Sequence, residues 1–181
     1  LSPRLFCFGC NSPIVFFLYI VADVEAFFYI YVDGFVLFAL NQWEVCTCPS
    51  RALIHESMYD KFMERALERV EAIKVGNPLD PTVMMGAQAS TEQLEKILSY
   101  LDIGKQEGAE CLTGGDRNKL EGDLAEGYYV KPTVFKGNNK LRIFQEELFG
   151  PVVSGTTFKT KEEALEMEKE TLKGIGAAGG S

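Results

Sequence analysis

From residue 14 to residue 170, short apolar segments alternate with segments whose apolar residues recur at helical spacing, and the junctions carry helix-start and helix-stop residues. Ile14 to Ile20, Arg51 to His55, Ala109 to Leu112 and Val152 to Phe158 read as strands, and Tyr128 to Phe135 reads as extended around Pro132. Ser57 with Asp60 predicts a capping box for a helix that buries Tyr59, Phe62, Met63, Ala66 and Val70 and ends near Lys74, with Gly76 as its stop. Ser90 with Gln93 predicts a second helix with Leu94, Ile97, Leu98 and Leu101 on one face, closed by Gly104 to Gly108. Thr160 with Glu163 starts a last one. Strands separated by helices of this length predict an α/β fold built of parallel βαβ units with helices on both faces of the sheet. No stretch repeats at a period of about 20 to 50 residues, so a solenoid is not expected.

The front of the chain is the most apolar part. Ile14 to Ala22 is too short to cross a bilayer, which takes roughly 20 residues, and Asp23, Glu25 and Asp33 interrupt the apolar run beyond it. No basic residue lies between Arg4 and Arg51 to flank a span. There is no cleavage pattern of a signal peptide either. The expected account is a buried strand and then a core helix carrying Val24, Phe27, Phe28, Tyr31, Phe35 and Phe38. A membrane is therefore not an expected partner. Nucleic acid is not expected either, because the net charge of −8 supplies no basic face. With 181 residues, 46% of them hydrophobic and 24% charged, one globular domain is the default.

Asn41-Gln42-Trp43-Glu44-Val45-Cys46-Thr47-Cys48-Pro49-Ser50-Arg51 places a thiol in a short polar connection, where a thiolate can face a cleft and act as a nucleophile. This segment resembles the active-site signature of the NAD(P)-dependent aldehyde dehydrogenases, with Cys46 at the nucleophile position. Gln145-Glu146-Glu147-Leu148-Phe149-Gly150-Pro151-Val152 is similar to a second box of the same family. Gly76-Asn77-Pro78-Leu79-Asp80-Pro81, Met85-Gly86 and Gly114-Gly115 fall where that family carries similar turns. The resemblance is close from about Phe35 to Lys161, and the wording around Cys46 is most like bacterial acetaldehyde-type members.

The resemblance implies that residues 1–181 are the catalytic, thiol-nucleophile domain of a longer chain, with the nucleotide-binding domain lying outside it. It implies oxidation of a small aldehyde to a carboxylic acid with NAD or NADP, through a thiohemiacetal and a thioester on Cys46. Glu147 would hold the nicotinamide ribose through its hydroxyls and Phe149 would position the nicotinamide. A domain lacking its partner domain is expected to be inactive in isolation. Cytoplasmic location and a homodimer or homotetramer are expected, the latter also because the Phe16 to Leu40 region carries more aromatics than one small domain hides.

The departures from the family lie before residue 44 and after residue 166. Cys7-Phe8-Gly9-Cys10-Asn11-Ser12-Pro13 stands where the family has Glu-Leu-Gly-Gly-Lys-Ser-Pro, so Cys7 occupies the position of the general base. Trp43 stands where the family prefers Gly, and an indole there is expected to block the acyl pocket. Lys169-Glu170-Thr171-Leu172-Lys173-Gly174 follows the family pattern only in outline. Two other functions compete. One is a non-catalytic structural or interaction module of the same fold. The other is a zinc-binding domain using Cys7, Cys10, Cys46 and Cys48, disfavoured by the one-residue spacer of the second pair. No metal is expected, the thiols are expected to be reduced, Cys48 is expected to pack, and His55, the single histidine, is expected to be structural.

Overall fold

A computed structural model describes residues 16–20, 41, 42, 44, 49–170 and 176–180 of the protein. In chain order the elements are β1 (Phe16–Ile20), β2 (Pro49–His55), α1 (Tyr59–Glu71), α2 (Thr91–Gln106), β3 (Glu110–Thr113), β4 (Thr133–Lys136), α3 (Arg142–Gln145), β5 (Val152–Phe158), α4 (Lys161–Lys169) and β6 (Gly176–Gly180). Among the described residues, six strands form one sheet in the order β3-β4-β5-β2-β1-β6. Leu53, in the middle of β2, pairs with Tyr19 of β1 on one side and Thr156 of β5 on the other.

Neighbouring strands run parallel from β4 through to β6, whereas β3 is antiparallel to β4. The all-parallel expectation therefore holds except at one edge. Two helices, not one, separate β2 from β3, so the chain arrives at β3 travelling in the opposite direction, and the following loop returns it antiparallel.

Helices cover both faces, as expected, and the alternation of side chains along the strands shows it. Ala52, Ile54, Val134 and Val153 pack with Phe62, Met63, Ala66 and Val70 of α1. Phe135 and Val152 meet Leu94, Ile97 and Leu101 of α2 and Ile143 and Phe144 of α3. Leu53 and Phe158 meet Ala164 of α4. Adjacent residues of one strand thus enter different layers, which is the period-2 signature of a strand buried on both sides. Arg51 belongs to this interior: it is 1% exposed, and its Nη1 donates to Asn139 Oδ1 at 3.0 Å. Asn139 Nδ2 in turn donates to Met167 O at 3.1 Å and Glu170 Oε2 at 3.2 Å, tying the end of α4 to the loop after β4.

Several boundaries differ from expectation. Ser57 does not cap α1. The chain leaves β2 through a 3-10 turn, Glu56–Met58, whose cap is His55, and Met58 precedes α1 with no side-chain cap. The helix stops at Glu71, short of Lys74, and Gly76 lies instead beside a bridge between Val75 and Met85. Of the stretch expected to be extended, 128–135, residues 133–135 lie in β4, which ends at Lys136. His55 is structural as expected: Nε2 meets Lys159 O at 3.0 Å, Nδ1 meets Ser57 Oγ at 2.7 Å, and the ring lies edge-on to Phe158. The second helix stop is as expected. Gly108 has φ +88°, its N–H donates to Lys105 O, and Ala109 N–H donates to Gly104 O, the paired bonds of a Schellman turn that glycine accommodates best. The expected core helix before residue 41 lies outside the described residues. Among the described residues no helix is long and apolar enough to cross a membrane.

Phe62 is fully buried under β2, whereas Leu79 is 89% exposed. Phe62→Ala is expected to cost about 3–5 kcal/mol in urea unfolding, and Leu79→Ala to stay within about 0.5 kcal/mol of the parent.

Candidate functional site

The glutamate-rich box occupies the turn between α3 and β5, residues 146–151. Its two acidic side chains have different environments. Glu146 is bound within the fold: Arg142 donates to it from Nε at 2.8 Å and from Nη2 at 3.0 Å, and Tyr100 OH donates to the same carboxylate. That hydrogen bond to Glu146 raises the Tyr100 phenol above its ordinary value, with burial adding to the shift. The same carboxylate raises the Arg142 guanidinium. Glu147 is exposed, with no hydrogen-bond or ion-pair partner among the described residues. Of two adjacent glutamates, only Glu147 is left to meet something outside the turn.

Phe149 is half-buried and adopts φ +58°, in the left-handed region that a bulky side chain rarely visits. The carbonyls of residues 148 and 149 both lie within reach of one side-chain amide. Gln93 Nε2 donates to both, at 3.0 Å to Leu148 O and 2.7 Å to Phe149 O. Gly150 packs so closely against α2 that a Cβ there would lie 2.3 Å from Ile97 Cδ1. Pro151 O accepts from Thr133 N at 2.9 Å and leads into β5.

Cys46, Cys48, Trp43, Cys7 and Cys10 lie outside the described residues; the chain is described on either side of Cys46, at Glu44 and from Pro49. On the Glu44 side the contacts are specific. Glu44 Oε1 accepts from Ala89 N at 2.8 Å, and Gln88 Nε2 donates to Gln42 O at 3.4 Å. Gln88 is 3% exposed, and its Oε1 has no hydrogen-bond partner among the described residues. Asn41 and Gln42 are left-handed, at φ 52° and 47°.

Residues 88–93 therefore touch two candidate segments: Gln88 and Ala89 meet Gln42 and Glu44, and Gln93 meets the box. Ser90 caps α2 as expected, its Oγ accepting from Gln93 N at 3.2 Å. The expected capping box places the Gln93 side chain back over its own helix start, yet the amide crosses to the 146–151 turn. The signal that could have found this was weak, since Gln at that position satisfies the capping pattern by itself. A cleft of about 520 Å³ is lined by Asn138, Asn139, Thr156, Glu163, Glu166 and Glu170 among others, none of which belongs to either segment. Among the described residues no group of three or more His, Cys, Asp or Glu could hold a metal ion.

The model of the aldehyde dehydrogenase family matches residues 5–178. Acetaldehyde dehydrogenase 2 of Cupriavidus necator is 66% identical over 177 residues, covering 98% of this chain and 35% of the relative. Aldehyde dehydrogenase B of Escherichia coli K12 is 59% identical, covering 93% of this chain and 33% of the relative. Among solved structures, HpcC from Thermus thermophilus superposes with a TM-score of 0.80 at 37% identity, over 90% of this chain and 32% of that one. The indole-3-acetaldehyde dehydrogenase AldA of P. syringae, solved with NAD+ and IAA, gives a TM-score of 0.78 at 36% identity, over 91% of this chain and 32% of that one. The chain thus spans about a third of the length of the curated relatives it matches.

Gly150→Ala is expected to force Ile97 aside and to destabilise the fold by about 1–3 kcal/mol, measured as a lowered urea midpoint.

Proposed function

Because the chain belongs to the aldehyde dehydrogenase family, we propose that it is the thiol-nucleophile domain of an enzyme oxidising a small aldehyde to a carboxylic acid with NAD or NADP. The observation that carries this reading is the 146–151 turn, where Glu146 is held by Arg142 and Tyr100 while Glu147 is exposed beside the half-buried Phe149. A carboxylate with free acceptor oxygens next to an aromatic ring fits a sugar that offers hydroxyl donors and a flat heterocycle to pack. Glu147 would hold the nicotinamide ribose and Phe149 would position the nicotinamide. The AldA structure with NAD+ supports the choice of cofactor.

In this reading the Cys46 thiolate adds to the carbonyl carbon, forming a C–S bond and a tetrahedral thiohemiacetal. The Cys46 backbone N–H stabilises the developing oxyanion. When bound, the dinucleotide supplies a hydride acceptor. Loss of hydride leaves a thioester on Cys46, which water hydrolyses to the acid and the free thiol. The base for hydrolysis is not assigned, because Cys7 stands at that position in this chain. Cys7 and Trp43 favour a second reading, a non-catalytic module of the same fold, in which Cys46 has no special reactivity.

The remaining proposals concern the whole protein. The nucleotide-binding domain would lie outside residues 1–181, the protein would be cytoplasmic, and it would assemble as a homodimer or homotetramer. Exposed Leu79 and Met84, on the segment after α1, support burial against another surface.

The test uses the full-length enzyme. Cys46→Ala is expected to abolish aldehyde-dependent NADH formation while NAD affinity stays within about threefold, because the sulfur acts on the aldehyde. Glu147→Gln is expected to weaken NAD binding about tenfold, as a hydrogen bond to a charged group is worth about 1.5–3 kcal/mol. Iodoacetamide at neutral pH is expected to label Cys46 first. Burial pushes the Cys111 thiol up, so less thiolate is present and Cys111 reacts slowly. Equal labelling of Cys46 and Cys48, with no loss of activity in Cys46→Ala, would favour the non-catalytic module.

A further inference from the structure

We propose that Tyr100 and Arg142 are positioning residues for the nicotinamide-side turn: by holding Glu146 they fix the backbone from which Glu147 projects. The proposal rests on the reading of Glu147 as the contact to the nicotinamide ribose.

The chain changes direction at Glu146. This residue caps the C-terminal end of α3 with extended dihedrals, φ −111° and ψ 149°, so Glu147 is the first residue beyond the helix exit. α3 has only four residues, and Leu141 gives its start no side-chain cap. A helix that short does not hold its own exit, because isolated short helices are marginal in water. The support comes from α2. Tyr100 and Glu107, seven positions and so about two turns apart, meet the two ends of α3. Glu107 Oε2 accepts from Arg142 N at 2.8 Å, and Tyr100 OH donates to the Glu146 carboxylate.

Both oxygens of that carboxylate are committed. Arg142 reaches Oε1 from Nε at 2.8 Å and Oε2 from Nη2 at 3.0 Å, and Tyr100 OH donates to Oε2 as well. A forked guanidinium fixes the plane of a carboxylate as well as its distance, which a single donor does not. The guanidinium also lies over the Tyr100 ring, 5.5 Å from its centre. The Tyr100 phenol lies above its ordinary range and so remains a donor at neutral pH. Its ring packs against the cluster that contains Leu94, Ile97 and Leu101, which makes the anchor part of the core.

The far side of Glu147 is held independently. Gln93 binds the carbonyls of Leu148 and Phe149, and Gly150 packs on Ile97. Glu147 thus stands between two fixed points, and the direction of its side chain depends on both. Holding Glu146 has a second effect: it removes the neighbouring carboxylate from competition for the same hydroxyl donors. An acceptor that must meet ribose hydroxyls gains from a fixed mount, because the group is ordered before the ligand arrives.

The experiment uses the full-length enzyme with NAD as the probe. Arg142→Lys keeps the charge and loses the fork. Tyr100→Phe removes one hydroxyl and keeps the ring beside Arg142, and it serves if the lysine variant does not fold. Each is made alone and in a Glu147→Ala background. Three quantities are measured: NAD affinity, kcat at saturating NAD, and amide hydrogen exchange of the peptide covering 146–151. Each single variant is expected to bind NAD about fivefold more weakly, with kcat within about twofold of the parent and faster exchange in that peptide. In the Glu147→Ala background the same substitutions are expected to change NAD affinity by less than about 1.5-fold, because groups acting through one contact are not additive. Equal losses in both backgrounds would overturn the proposal, since the pair would then act by another route, and the proposed function would stand. Unchanged NAD affinity in the single variants would overturn it too, whatever the exchange rate, and would make the contacts scaffold bonds. If Glu147→Ala itself leaves NAD affinity unchanged, the reading of the 146–151 turn falls, and the positioning role with it.

Discussion

Burial of β2 on both faces is the constraint on which the other elements depend. Ala52 and Ile54 face α1 while Leu53 faces α4, and all three are essentially inaccessible to water. The strand must then have a neighbour on each edge, here β1 and β5, and a helical layer on each side. Its first residue, Pro49, comes three positions after Cys46. Pro49 is thus part of a strand whose centre, residues 51–54, is buried in the core. On the other side, Glu44 and Gln42 are held by residues 88–89.

Contacts from the packed elements also account for the irregular backbone beside the sheet. Phe149, Asn41 and Gln42 all have positive φ, and none is glycine. Such conformations persist only where surrounding contacts over-determine them. Around Phe149 those contacts are the two Gln93 hydrogen bonds and the close packing of Gly150 on Ile97. Around Gln42 they are the Gln88 amide and the turn closed by Glu44 N–H on Asn41 O at 2.9 Å. The 146–151 turn and residues 42 and 44 are thus each held by contacts from residues 88–93.

Much of this is legible in the sequence. Helical periodicity names the buried face of α1 residue by residue, because Tyr59, Phe62, Met63, Ala66 and Val70 have few other ways to leave water together. The sheet is legible from its apolar runs, and Glu147 is distinguishable from Glu146 by the family pattern. What sequence does not express is direction and reach. The antiparallel edge at β3 follows from counting two helices between β2 and β3, which local patterns do not reveal as one reversal or two. The start of α1 is misplaced in the sequence reading because Ser57 and Asp60 satisfy a capping pattern that the 3-10 turn after His55 pre-empts. Arg51 reads as an ordinary strand residue, yet it is buried against Asn139, 88 positions away. Gln93 is hidden for the same reason: the capping role is local and visible, whereas its bonds to residues 148 and 149 are long-range.

The central claim is that Cys46 carries the covalent step, and the direct test is to trap the acyl-enzyme. Full-length protein mixed with a small aldehyde and NAD, quenched in acid and analysed by peptide mass spectrometry, should show an added acyl group equal to the aldehyde less two hydrogens. The account predicts that group on Cys46, with Cys48 and Cys111 unmodified. An acyl group on Cys48 or Cys111, or NADH formation with every cysteine unmodified throughout turnover, would contradict it.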